Sequence, residues 1–197
     1  MANITEFKSR LSGGGVRPNQ FKVRLTFPDI ATAGGGASGT NLMDDLSFLC
    51  EATTLPGQTI GKTTVKFRGR ELKLAGDSRT FEDWGIDVLM DTDFKLYDAF
   101  TNWMNAINNL ADNTGVINTE LYQATGDVIQ MDRDGKPLKT IKFIGMFPNK
   151  IADIELDYKS ENQIQTFTVD FSYQWYEYSS TSTGGTTGGA AGSGLNQ

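Results

Sequence analysis

Between Phe167 and Trp175 every second residue is large and apolar (Phe167, Val169, Phe171, Tyr173, Trp175), and Thr168, Asp170, Ser172 and Gln174 lie between them. A period of two predicts a β-strand with one buried and one polar face. The same alternation runs from Phe21 to Phe27, with Phe21, Val23, Leu25 and Phe27 on one side. A shorter strand is expected around Leu46 to Thr53, and "TVKFRGRELKL" reads as a strand pair or as one strand bent at Gly69. "FEDWGIDVLMD" places Phe81, Trp84, Ile86, Val88 and Met90 mostly in alternation. "DVIQM" and "LKTIKFIGMF" follow, joined by "DRDGKP", where Asp134-Gly135 can take the left-handed torsions of a tight turn. "IELDY" then alternates Ile154, Leu156 and Tyr158 against Glu155 and Asp157, and turns through Lys159 to Asn162 into the strand first described.

The period changes once. Leu96, Phe100, Trp103, Ile107 and Leu110 recur every three or four residues, which predicts a single helix over about 93–111 with an apolar face for a sheet. Asp91 or Thr92 is the expected N-cap, and "NNLADNTG" supplies the stop. Ile4, Phe7 and Leu11 stand at helical spacing before "SGGG", so residues 1–16 read as a flexible N-terminal arm, either one that orders against something else or a frayed terminus. The Gly-rich insertion between Pro28 and Asp45 reads as a long flexible loop, and residues 179–197 are a Ser/Thr/Gly tract expected to be disordered.

A chain of 197 residues supports one substantial core, here residues 17–178. Composition narrows the chemistry. Lys and Arg total 18 against 24 Asp and Glu, a formal charge of -6, so no basic footprint for gripping phosphates is present. No His occurs, which removes the commonest general base and metal ligand, and the lone Cys50 excludes an internal disulfide. The N-terminal stretch carries scattered charges and lacks a signal-type apolar run; a cytoplasmic site of synthesis without a membrane anchor is expected.

Motifs that resemble reactive sites fail on spacing. "GQTIGKT" (Gly57 to Thr63) has three residues between its glycines where a phosphate-binding loop needs four, and "TTVKFRG" behind it reads as strand rather than helix. "QMDRDGK" has Gln130 at the first position of a calcium loop and Ile141 at the twelfth. Cys50, between Leu49 and Glu51, reads as a small buried hydrophobe. No catalytic constellation, cofactor site or metal site is expected, and the chain is read as a non-enzyme.

Five motifs occur in order: "RPNQFKV", "FLCEATTLPG", "RELKLAGDSRTFEDW", "GMFPNKIADIELDY" and "NQIQTFTVDFSYQWYE". Together, over Arg17 to Glu177, they resemble the tail tube proteins of contractile-tailed bacteriophages. The resemblance implies a mainly β fold, a sandwich or barrel of two packed antiparallel sheets with one flanking α-helix, built to form rings. It also implies hexameric rings stacked into the inner tail tube of a virion, a conduit for DNA ejection inside a contractile sheath. The implied partners are the chain itself, a tail sheath protein, baseplate and tape-measure proteins, and genomic DNA passing without specific binding. A tube or tube initiator of a phage-derived contractile injection system is the alternative. A carbohydrate- or receptor-binding virion module and an acidic enzyme are the more distant ones.

Size agrees with a conduit. Six copies giving four strands each, about 4.8 Å apart and tilted about 40°, close a barrel roughly 48 Å across and leave about 38 Å inside the side chains. Duplex DNA, about 20 Å wide, passes. An acidic bore lets phosphates slide, so Asp153, Glu155 and Asp157, then Asp83, Asp87 and Asp170, are the expected lumen-lining residues. The same resemblance implies that "ATTLPGQTIGKT" (Ala52 to Thr63) meets the next ring, with Leu55, Pro56, Gln58 and Ile60 as the expected contacts; an ordinary connecting loop is the alternative.

Overall fold

The computed structural model describes residues 3–10, 15–32 and 39–180. In chain order the elements are α1 (Ile4–Arg10), β1 (Phe21–Leu25), α2 (Asp29–Thr32), α3 (Gly39–Leu49), β2 (Cys50–Thr53), β3 (Gln58–Phe67), β4 (Arg70–Phe81) and β5 (Trp84–Leu89). The remainder are α4 (Lys95–Ile107), α5 (Thr119–Tyr122), β6 (Ala124–Met131), β7 (Pro137–Ile151), β8 (Thr166–Ser172) and β9 (Trp175–Ser180). The mainly β expectation with antiparallel sheets is met.

Two four-stranded layers share one strand. From Pro137 to Met146, β7 pairs with β6, and over Lys139 to Ile144 it also pairs with β9; β1 lies outside β6. From Phe147 to Ile151 the same strand pairs with β8, which is followed in the sheet by β5 and β2. The first layer is therefore β1-β6-β7-β9 and the second is β7-β8-β5-β2. At the crossover Gly145 has φ +65°, and a Cβ there would meet Gln174 Cγ at 2.7 Å. Only a residue without a side chain fits that bend.

The alternation predicted from sequence sets the core. Trp84, Ile86 and Val88 of β5, Phe167, Val169 and Phe171 of β8, Val23 and Leu25 of β1, and Val128 of β6 are all buried. Trp84 joins the layers: its ring stacks on Phe143 at 4.5 Å with a 16° interplanar angle, and its Nε1–H donates to Thr53 Oγ1 at 2.8 Å. That bond satisfies the indole's polar handle inside an apolar core. α4 seals the interior with Leu96, Ala99, Phe100 and Trp103, Phe100 standing edge-on to Phe167 and Phe171.

Several expectations are corrected. The segment from Leu46 begins as helix, because Leu42 and Leu46, one turn apart, are buried together; the strand starts at Cys50. The insertion after Pro28 thus carries two helices, α2 and α3, with 33–38 between them outside the described residues. Neither Asp91 nor Thr92 caps α4. The residue before it is Phe94 at φ 54°, without a side-chain cap, and Asp91 instead accepts the Phe94 N–H through its carbonyl at 3.0 Å.

"IELDY" is not a strand: residues 152–165 form an irregular loop, tied at its ends by Ala152 N–H to Thr168 O and Met90 N–H to Gln165 O. Leu156 is 87% exposed and Tyr158 fully so, since among the described residues no strand pairs with this segment to give its alternation a buried face. The strand expected through Trp175 breaks after Ser172, where Gln174 N–H donates to Ile144 O and the chain moves from the second layer to the first. β9 continues to Ser180, inside the stretch expected to be disordered; 181–197 and Leu11 lie outside the described residues. The turn at 132–136 has positive φ only at Gly135, a three-residue connection rather than a two-residue one.

Candidate assembly surfaces

The largest feature outside the core is the β3–β4 hairpin, a separate two-stranded sheet. Its tip is tight because Arg68 and Gly69 both have positive φ, the pattern of a two-residue hairpin turn. Pairing puts Val65 opposite Leu72, Thr63 opposite Leu74 and Phe67 opposite Arg70, so these six side chains share one face. Lys62, Thr64, Lys66, Glu71 and Lys73 share the other. On the first face Val65 is 45% exposed, Phe67 65%, Leu72 55% and Leu74 48%. A two-stranded hairpin with an uncovered apolar face is marginal alone in water and calls for a partner surface.

The hairpin root is held firmly. Phe81 packs on Tyr173 and Tyr176 at 5.8 and 5.3 Å, and Tyr173 Oη–H donates to Glu82 O at 2.9 Å. Burial, with help from neighbouring acidic groups, pushes the Tyr173 phenol up to about 12; burial and the Tyr178 hydroxyl push Tyr176 up to about 12. The expected stacking residues fall at this root. Leu55 and Ile60 are about half exposed, Gln58 is exposed and Pro56 half-buried. Leu55 and Pro56 belong to the β2–β3 connection, whereas Gln58 and Ile60 are already strand, so "GQTIGKT" is mostly β3 and neither a loop nor a helix start. Leu55 also borders a cleft of about 170 Å³ with Pro18, Phe21, Val128 and Ile141.

The expected lumen carboxylates separate into two groups. Asp87 and Asp170 lie on the polar face of the second layer, where the Thr168 hydroxyl donates to Asp87 Oδ1 at 2.5 Å. Asp83 joins that face through Asn149 Nδ2–H and Ser172 Oγ–H, each donating at 2.8 Å. Asp153, Glu155 and Asp157 are exposed on the 152–165 loop and are not brought onto this sheet. The apolar hairpin face was missed by sequence reasoning. Its signal, Val65-x-Phe67 and Leu72-x-Leu74 around Arg68-Gly69, reads equally as a buried strand pair.

Reactive chemistry is sparse on these surfaces. Burial first, then the charge of Asp87, raises the Cys50 thiol to about 12, away from the nucleophilic thiolate. Among the described residues no cluster of three or more Cys, Asp or Glu is placed to hold a metal, and no helix is long and apolar enough to cross a membrane.

A family described as phage tail tube protein matches residues 16–179. The tail tube protein gp19 of Enterobacteria phage T4 is 32% identical over 168 residues, 84% of this chain and 93% of that protein. A tail tube protein of Serratia phage KSP90 is 29% identical over 175 residues, 88% of this chain and 95% of its own length. Among solved structures, a chain of the anti-feeding prophage baseplate superposes with TM-score 0.59 at 12% identity, covering 84% of this chain and 96% of that one. A chain of an extracellular contractile injection system sheath-tube complex gives 0.50 at 13%, covering 88% and 97%. These likenesses carry the fold, and the matched family is structural rather than enzymatic.

Proposed function

The chain belongs to the phage tail tube protein family, and we propose that its copies close into rings, six to a ring, that stack as the inner tube of a contractile virion tail. The bore carries DNA outward when the surrounding sheath shortens, and sheath and baseplate proteins are its neighbours in the tail. The observation that carries this reading is the long hairpin. Four large apolar side chains on one face of β3–β4 are left exposed among the described residues, which is the state of a surface completed by a second copy. Leu55, Pro56, Gln58 and Ile60, at the root of that hairpin, are the contacts to the next ring.

Electron microscopy of the purified chain in negative stain tests the reading directly. Rings or hollow rods are the expected result. A dispersed monomer at every concentration, salt and temperature tried would overturn it. The sequence relatives favour a phage tail over an injection machine, because the proteins matched at about 30% identity are tail tube proteins of phages.

A further inference from the structure

The total charge of the chain hides a feature of the β3–β4 hairpin. Its residues Gln58–Phe81 hold six of the 18 Lys and Arg (Lys62, Lys66, Arg68, Arg70, Lys73, Arg79) against two acids, Glu71 and Asp77. The hairpin is therefore +4 in a chain of -6, and everything outside it sums to -10. A whole-chain total that shows no basic footprint averages a cationic hairpin with an acidic body.

Pairing sorts these cations. Lys62 stands opposite Ala75, Lys73 opposite Thr64 and Lys66 opposite Glu71, so three lysines share the face that turns away from Val65, Phe67, Leu72 and Leu74. All three are exposed, and among the described residues no carboxylate, Glu71 included, lies within ion-pair distance of them. Arg68 at the tip lies over the Phe67 ring instead, 5.4 Å from its centroid. Lys73 sits diagonally between Lys62 and Lys66, about 7–8 Å from each, and Lys62 to Lys66 spans about 13 Å along the strand. Over that length one strand of duplex DNA, rising about 3.4 Å per nucleotide, presents about four phosphates. Lysine is a point charge on a flexible stem, which suits contacts to phosphate that carry no sequence information.

We propose that this lysine face, Lys62, Lys66 and Lys73, is a sequence-independent contact for the phosphate backbone of duplex DNA in the bore. It rests on the tube reading above, in which a neighbouring copy covers the apolar face of the same two-stranded ribbon; the lysine face, on the opposite side, then looks away from that copy. Repeated from copy to copy, it gives the duplex many equal weak holds rather than one strong site, and contacts made through charge alone let DNA slide. The acidic remainder of the chain repels phosphates and keeps each hold weak.

The test titrates the unassembled full chain, kept below its assembly concentration, against a short fluorescein-labelled duplex at about 50 mM salt and upward, with anisotropy as the readout. Three phosphates neutralised at about -0.9 each predict a log–log salt slope of about -3. Lys62→Gln, Lys66→Gln and Lys73→Gln combined are expected to weaken binding at least tenfold and to take about 2–3 off that slope. Lys8→Gln, Lys136→Gln and Lys159→Gln combined remove the same charge elsewhere and should bind within about threefold of the parent. The apolar face is untouched in the hairpin variant, which should still sediment as tubes within about threefold of the parent concentration. Thermal unfolding checks that each variant folds. Equal binding by parent and hairpin variant, or equal losses in the two triple variants, overturns the proposal. A polyglutamate peptide that binds as tightly as the duplex also overturns it, assigning the face to an acidic protein, and loss of tubes in the hairpin variant does so by assigning it to another copy. Absence of rings from the parent chain overturns the tube reading instead, a result separate from the titration of unassembled copies.

Discussion

Phe67→Ser isolates the hairpin's contribution to assembly. Phe67 is 65% exposed on the apolar face of β3–β4, next to Val65 and Leu72, and it is not among the buried core residues. Full burial of a side chain of this size is worth about 1.5–3 kcal/mol, so covering its exposed part with a neighbouring copy contributes roughly 1–2 kcal/mol. At about 1.4 kcal/mol per factor of ten, the variant should need a concentration about 5–30-fold higher to assemble. The assay is sedimentation of tubes against total protein, with the free concentration at the plateau as readout. Chemical denaturation of the unassembled variant should shift by less than about 0.5 kcal/mol, the usual range for a surface substitution. Lys66→Ser, one residue away on the opposite face, is the control and should assemble within about twofold of the parent. An unchanged plateau for Phe67→Ser refutes the reasoning. So does an equal loss of stability in the unassembled copy, which would mean that the ring already packs inside its own chain.

Three further outcomes follow from the core and the tyrosines. Trp84→Ala removes the fully buried ring that stacks on Phe143 and holds Thr53, and should cost about 3–5 kcal/mol in denaturant unfolding of the unassembled chain. Gly145→Ala forces a side chain into a φ of +65° and against Gln174, and should lower stability by about 1–3 kcal/mol, seen as a reduced Tm. Tyr173 and Tyr176 are raised from 10.0 to about 12, so each favours the folded state while protonated; that stability is complete below pH 10 and is lost as pH rises through about 12. Phenolate absorbance and circular dichroism followed together should show those two groups ionising with unfolding, and Tyr173→Phe should shift the alkaline transition.

Where one segment has a wet face and a dry face, the sequence was enough. β1, β5, β8 and α4 were legible because Val23, Ile86, Val169 and Phe100 recur with the period of their own element and all meet the same core. The failures occur where period alone does not name the partner. Alternation runs unbroken from Phe167 to Trp175, but the chain changes layers at Tyr173 and Gln174, and the phase slips: Trp175 turns outward and Tyr176 inward against Phe143. Ile154, Leu156 and Tyr158 alternate as well as any strand, and among the described residues no strand pairs with them. In α3 the signal was present in Leu42 and Leu46, one turn apart, and was masked by the glycines before them. Of the acidic residues expected to line a bore, Asp87 and Asp170 were legible as one polar face, whereas Asp153, Glu155 and Asp157 fall on a loop, and which way that face looks depends on copies that a single sequence does not contain.

Folding and assembly draw on different residues in this chain. The stack of Trp84 and Phe143, the α4 aromatics and the other buried core residues all lie outside β3–β4, which meets this body through Phe81 at its root. A copy therefore holds its core when free, while its hairpin, two strands with no third, has little stability of its own. Fixing that hairpin costs conformational entropy of about 1–2 kcal/mol per residue, and in the proposed assembly a neighbouring copy that covers Val65, Phe67, Leu72 and Leu74 offsets part of it. The first contacts between copies carry this cost with few of the compensating contacts, and later additions to a growing end find more surface already in place. A lag before tubes sediment, shortening as the concentration of the chain rises, is the expected outcome, and assembly that begins without a lag refutes it.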